Sequence, residues 1–120
     1  MVWVLEDHER DALAAVSLDK FRDKVIAHAR RKAVFSPALS DPDYQRIADH
    51  IFDRVHGFLG AYPNASYDSY VRMMLVYFTH GIAQVEGPHM QESLRNDRIG
   101  INTRAMISYE LVREMMRRGL

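Results

Sequence analysis

The stretch Ser66-Tyr67-Asp68-Ser69-Tyr70-Val71-Arg72-Met73-Met74-Leu75-Val76-Tyr77-Phe78-Thr79-His80-Gly81 decides the fold. Between Tyr67 and Phe78 only Asp68, Ser69 and Arg72 are strongly polar, so a helix here is apolar around most of its circumference and has to be buried by its neighbours. Ser66 caps it and Gly81 begins its exit, although Ile82, Ala83 and Val85 could extend it by a turn before Gly87-Pro88 stops it. One face, through Val71, Met74, Leu75 and Phe78, suffices for a core of this size. The opposite face, Met73, Val76 and Tyr77, is then the candidate for meeting a partner or a second copy, with Tyr109 joining it from the last helix.

Outward from this rod, the segments on either side are amphipathic. Upstream, Asp41-Pro42 is a strong start signal, an Asp cap followed by proline at the first helical position. Tyr44, Ile47, Ile51, Val55 and Phe58 then recur on one face, and Gly57, Gly60 and Tyr62-Pro63-Asn64 close that helix. Further back, Glu6 to Val16 reads as a short first helix, with Ser17 capping a second whose stripe is Leu18, Phe21, Val25, Ile26 and Ala29. The run Phe35 to Ser40 breaks the pattern. Downstream, His89 to Arg95 forms a short helix and Asn96 to Ile101 a connector. Asn102 or Thr103 caps a final helix with Met106, Ile107, Leu111, Val112, Met115 and Met116 on its apolar side. Val2 to Leu5 and Ile99 to Ile101 are the only plausible strands, and both are short. The fold predicted is all-α: residues 1–120 as a single domain, a compact bundle of five or six helices around the central one at about 66–81.

Length and composition agree with this and exclude several classes. A chain of 120 residues, 48% hydrophobic and 27% charged, has one core and is globular rather than disordered. Lysine plus arginine equals aspartate plus glutamate at 16 each, so there is no overall basic field for nucleic acid. Locally the balance is uneven. Residues 1–19 carry a net charge of −4 (five acids, one arginine), and residues 20–32 carry +5 (six bases, one acid), which predicts pairing of the two blocks within the fold. The absence of cysteine rules out disulfides and thiolate chemistry. No apolar run approaches the ~18 residues of a membrane span, and the amino terminus turns acidic after five residues, unlike a signal peptide. A cytoplasmic protein is expected.

Chemistry-bearing constellations are sparse. Asp49, Asp53 and His56 stand at i, i+4 and i+7 and share a helical stripe that could hold a divalent metal if another segment added ligands. Arg46 and Arg54 compete for those carboxylates, and the spacing is not a zinc or di-iron signature, so no cofactor is expected. Thr79-His80-Gly81 places a histidine at a helix end, where capping or packing is the ordinary role. None of the six glycines belongs to a phosphate-binding loop. The last two helices have the outline of a helix-turn-helix DNA reader. Their connector exceeds three or four residues, however, and Glu110 and Glu114 dilute the basic face of Arg104, Arg113, Arg117 and Arg118.

Without catalytic chemistry, the concentration of tyrosine and methionine on the central and final helices favours a protein-binding module. Phe21, Ile26, His28, Arg30 and Arg31, followed by Tyr70, Met74, Phe78 and Gly81, resemble small helical proteins encoded beside bacterial type VI secretion effectors. The resemblance covers roughly half of the chain, and the Phe35 to Asp41 connector and the long last helix depart from it. It implies a non-enzymatic accessory role, either an immunity protein that binds a toxin or an adaptor or chaperone that holds an effector, and it transfers no catalytic residue.

Overall fold

The computed structural model describes residues 7–32 and 41–119, with side chains from Ser17 to Lys32 and from Pro42 to Gly119. Six helices, α1 (Asp7–Lys32), α2 (Asp41–Leu59), α3 (Tyr67–His80), α4 (Ile82–Val85), α5 (Pro88–Leu94) and α6 (Ile101–Arg117), account for nearly all of it, and no strand occurs among the described residues. The expected strand at Val2 to Leu5 and the break at Phe35 to Ser40 lie outside the described residues. Ile99 and Gly100 form a turn and Ile101 opens α6, so the second expected strand is absent.

The largest departure from expectation is α1, a single helix of 26 residues running straight through Ser17. The physical reason is cooperativity. Ala12-Leu13-Ala14-Ala15 before Ser17 and Leu18-Asp19-Lys20 after it propagate a helix readily, whereas a break would require a second costly nucleation. Ser17 is exposed on that helix, not a cap. Ser17→Ala is therefore expected to raise stability by about 0.5 kcal/mol in chemical denaturation, where loss of a cap would have lowered it by about 1 kcal/mol.

The two charge blocks meet at their boundary in the middle of α1, while Asp7, Glu9 and Asp11 fall in its first turns and Arg30, Arg31 and Lys32 in its last, positions that suit the helix dipole. In the middle of α1, Arg22 is shared among Asp19, Asp23 and Asp49 at 3.4, 3.8 and 3.9 Å.

As expected from its sequence, α3 is the hub, packed against α1, α2, α4 and α6. Its cap is the predicted one: Ser66 Oγ accepts from the Ser69 amide at 3.1 Å. Gly81 ends it at φ +95°, a left-handed conformation that a side chain would strain. Both faces are closed by the chain itself. Val71, Met74 and Leu75 are buried, but so are Met73, Val76 and Tyr77, and Phe78 is only half-buried. An aromatic seam joins the first three helices. Phe21 meets Tyr70 edge-on at 4.8 Å, while Tyr44 stacks on Phe78 at 5.4 Å under the Arg30 guanidinium.

Two polar pins fix α6 to the rest. Asn102 Oδ1 accepts from the Ser66 amide at 2.9 Å and from Ser69 Oγ at 2.7 Å, and its Nδ2 donates to the Asn64 carbonyl at 3.0 Å. The residue read as a cap for its own helix thus braces the start of α3; α6 itself starts at Gly100 with no side-chain cap. Arg104, only 4% exposed, donates to the carbonyls of Leu94 and Ile99 at 2.9 and 2.7 Å and to Tyr62 Oη at 3.3 Å. Its guanidinium also lies over the Tyr62 ring at 5.0 Å and 3.8 Å from an Asp97 oxygen. No described helix is long and apolar enough to cross a membrane.

Candidate protein-docking surface

α6 packs inward through Ile101, Arg104, Ala105, Ser108 and Val112. At 100° per residue this turns Met106, Ile107 and Leu111 outward, and they are 43, 39 and 43% exposed. The apolar residues of the helix therefore do not form the one stripe expected. Met106 lies on the side of Tyr109, Arg113 and Met116; Ile107 and Leu111 lie on the other side with half-buried Met115; Glu110 and Glu114 run between. Those acids are paired along the helix, Glu110 with Arg113 at 3.9 Å and Glu114 with Arg117 and Arg118. The outer face is thus a charged strip, its acids paired locally, with exposed apolar residues on either flank. Arg113, Arg117 and Arg118 pair with glutamates of their own helix, and Arg104 is buried.

On the Met106 side, a cleft of about 250 Å³ opens between the end of α1, α3 and α6. Leu75, Val76, Phe78, Tyr109, Val112 and Met116 make its apolar lining, and Lys32, Arg113 and Arg117 its rim. It is smaller than the ~300–1,000 Å³ typical of drug-sized ligand sites, and suits a few side chains of a docking segment.

A second, wider hollow of about 530 Å³ lies between α2, α3 and α5, with a lining of mixed polarity and a polar network across it. There Tyr77 Oη donates to Glu86 Oε2 at 3.1 Å, Arg54 meets the other Glu86 oxygen at 3.3 Å, and Arg95 Nε donates to Gln91 Oε1 at 2.9 Å. These groups satisfy one another.

The residues expected to meet a partner divide accordingly. Val76 and Tyr109 line the cleft; Met73 and Tyr77 line the second hollow. Met73, Val76 and Tyr77 are buried floor rather than surface, because the helices packed on α3, α2 and α6 among them, close over the face that its sequence left open. Only Tyr109, half-buried, retains access. Exposure of Ile107 and Leu111 was hidden in the sequence by the buried polar residues Arg104 and Ser108, which occupy positions where apolar residues would have oriented the helix.

The stripe Asp49, Asp53 and His56 does not converge. Asp49 Oδ1 accepts from Gln45 at 2.9 Å, Asp53 is exposed, and His56 Nδ1 is bonded to Tyr70 Oη at 2.9 Å. Among the described residues no group of three or more His, Asp or Glu side chains is placed to hold a metal ion. His28 is likewise committed. Tyr67 Oη gives its one proton to the Lys24 carbonyl at 3.2 Å, so the 3.0 Å contact with His28 has Nδ1 as donor.

Burial raises Tyr77 well above the usual phenol range, reinforced by the Glu86 carboxylate beside it and opposed by Arg54. Burial also raises Tyr70 and, against the pull of Arg30, Tyr44. A raised folded-state value means stability that is complete below the unfolded tyrosine value of about 10 and lost as pH climbs through the folded one. The melting temperature is expected to fall progressively above about pH 10, and Tyr77→Phe to flatten that fall. An unchanged slope in Tyr77→Phe would show that the buried Tyr77 hydroxyl is not what the alkaline loss reports.

Comparison of the chain with protein-family models, curated proteins and solved structures finds no match.

Proposed function

We propose that the protein is a non-enzymatic binding module whose outer α6 face receives a partner protein. An immunity protein that covers a toxin, or an adaptor or chaperone that holds a secreted effector, is the role in keeping with the likeness to accessory proteins of type VI secretion. What supports docking on α6 is the exposure of Ile107 and Leu111, one turn apart on one side of a regular helix, with Met106 exposed across the charged strip from them. Only one other large apolar side chain, Leu18, is comparably exposed among the described residues. Single exposed apolar residues need no explanation, whereas Ile107 and Leu111 are adjacent on one face and both exposed.

Completing their burial against a partner is worth about 1 kcal/mol each, given the ~1.5–3 kcal/mol for burying such a side chain fully. Ile107→Glu with Leu111→Glu removes two of these contributions and places charge in the interface, so affinity is expected to drop at least ~100-fold. Stability should change by less than about 0.5 kcal/mol per site. Co-expression with the products of neighbouring genes, followed by purification of both forms, is the check. A partner retained by the natural chain and lost by the double variant supports the reading. Recovery of no partner, or equal recovery by both, refutes it.

A further inference from the structure

The cleft between the end of α1, α3 and α6 is graded from an apolar depth to a cationic mouth, and docking on the outer α6 face makes no use of it. Leu75 and Val76 of α3 and Val112 of α6 form its buried floor. Half-buried Phe78, Tyr109 and Met116 make its walls. Around them stand three exposed cations, Lys32 in the last turn of α1 and Arg113 and Arg117 one turn apart on α6. No carboxylate lines the cleft among the described residues.

The mouth sets one requirement. Lysine and arginine only donate hydrogen bonds, so what binds beside them has to bring acceptors and negative charge. Lys32 makes no ion pair among the described residues. Arg113 meets Glu110 at 3.9 Å, and Arg117 shares Glu114 with Arg118, which keeps that glutamate paired when Arg117 turns to a ligand. Exposed pairs of this kind are each worth a factor of about five at most, so they exchange for an incoming carboxylate.

The depth sets the other. A dry cavity of ~150 Å³ takes one benzene, about 25 Å³ for each carbon, so the cleft of about 250 Å³ takes a chain of about ten carbons. An alkyl chain makes the same contacts as apolar side chains. A peptide would also bring amide donors, for which the mouth has no carboxylate acceptor, and a membrane lipid would bring two chains where one fits. A linear aliphatic carboxylate brings a tail of the right size and acceptors alone.

We infer that the cleft binds the free anion of a medium-chain aliphatic acid of about eight to ten carbons, its tail over Leu75, Val76 and Val112 and its carboxylate among Lys32, Arg113 and Arg117.

Isothermal titration calorimetry of the full chain with linear carboxylates, kept below their micelle-forming concentrations, tests this. Affinity is expected to rise about two- to fourfold for each methylene from hexanoate to decanoate, and to level off by tetradecanoate because the tail then outgrows the floor. Decyltrimethylammonium has the same tail with the opposite charge and should bind about tenfold more weakly or worse. Arg113→Glu with Arg117→Glu should weaken decanoate about tenfold or more by repelling its head. Met116→Trp, which fills the cleft and leaves its charge unchanged, should do the same by displacing the tail. Circular dichroism confirms that each variant is helical; the length series and the head-group comparison use the natural chain and stay decisive if a variant misfolds. No saturable binding up to about 1 mM decanoate overturns the inference, whether the cleft is then filled by another segment of this chain or reserved for a partner protein. So does affinity that climbs undiminished to tetradecanoate, decyltrimethylammonium bound as tightly as decanoate, or decanoate binding indifferent to both variants. No partner protein is present in this titration, so its failure and the failure of docking on α6 are seen separately.

Discussion

Replacing Arg104 by methionine is expected to lower stability by about 3 kcal/mol, measured by urea unfolding, and the melting temperature by about 10–15 °C. Methionine fills a similar volume and keeps the apolar stem, so the loss isolates the guanidinium. Replacing a buried ion by a hydrophobic residue is sometimes neutral, because the desolvation cost disappears along with the attraction. That escape requires the partners to be replaced as well. Here they include main-chain carbonyls, Leu94 in the last turn of α5 and Ile99 in the turn before α6, and no substitution of side chains removes those. Left without donors, the buried Leu94 carbonyl and the part-buried Ile99 carbonyl together cost about 2–4 kcal/mol, which outweighs the gain from not burying a charge. Arg104→Lys should recover about half, because one ammonium cannot reproduce the fork that spans both carbonyls and the Tyr62 hydroxyl. A loss below about 1 kcal/mol for Arg104→Met would show that the bonds are dispensable.

Asn102→Ala is expected to cost about 2–3 kcal/mol in the same measurement. It deprives the Ser66 amide and the fully buried Ser69 hydroxyl of their shared acceptor, and the Asn64 carbonyl of its donor. Asn102→Asp separates these effects. Its carboxylate still accepts from Ser66 and Ser69, and negative charge there suits the positive end of the α3 dipole, while the bond to Asn64 becomes a repulsion. The aspartate variant should therefore retain about half of the stability lost by alanine. If it is as unstable as alanine, the donor to Asn64 and not the brace on α3 is the important bond.

The elements written in local pattern were legible in the sequence. Ser66, Gly81 and the apolar run between them specify α3 from start to end, and Asp41-Pro42 places the start of α2, because caps and breakers act within a few residues. Ser17 misled because a good capping residue is also tolerated in mid-helix when both flanks propagate. The docking surface was not legible for a related reason. Rotation of α6 is set by Arg104 and Ser108 pointing inward, and whether an arginine faces inward depends on carbonyls contributed by α5 and the following turn. Likewise Met73, Val76 and Tyr77 read as a free face only until α2 and α6 are packed on α3. Sequence periodicity reports that a face is apolar; the element that covers it is a property of the assembled chain.

The bonds from Asn102 to the start of α3 span 36 and 33 residues, and they govern the order in which the molecule can be completed. A chain made from its amino terminus presents α1, α2 and α3 first, with the apolar surface of α3 that α6 will cover still open and the Ser66 amide still without its brace. The seam closes only when the last helix has emerged. For that interval the surface of α3 that α6 covers stays open to solvent, and a chain shortened before α6 would keep it open.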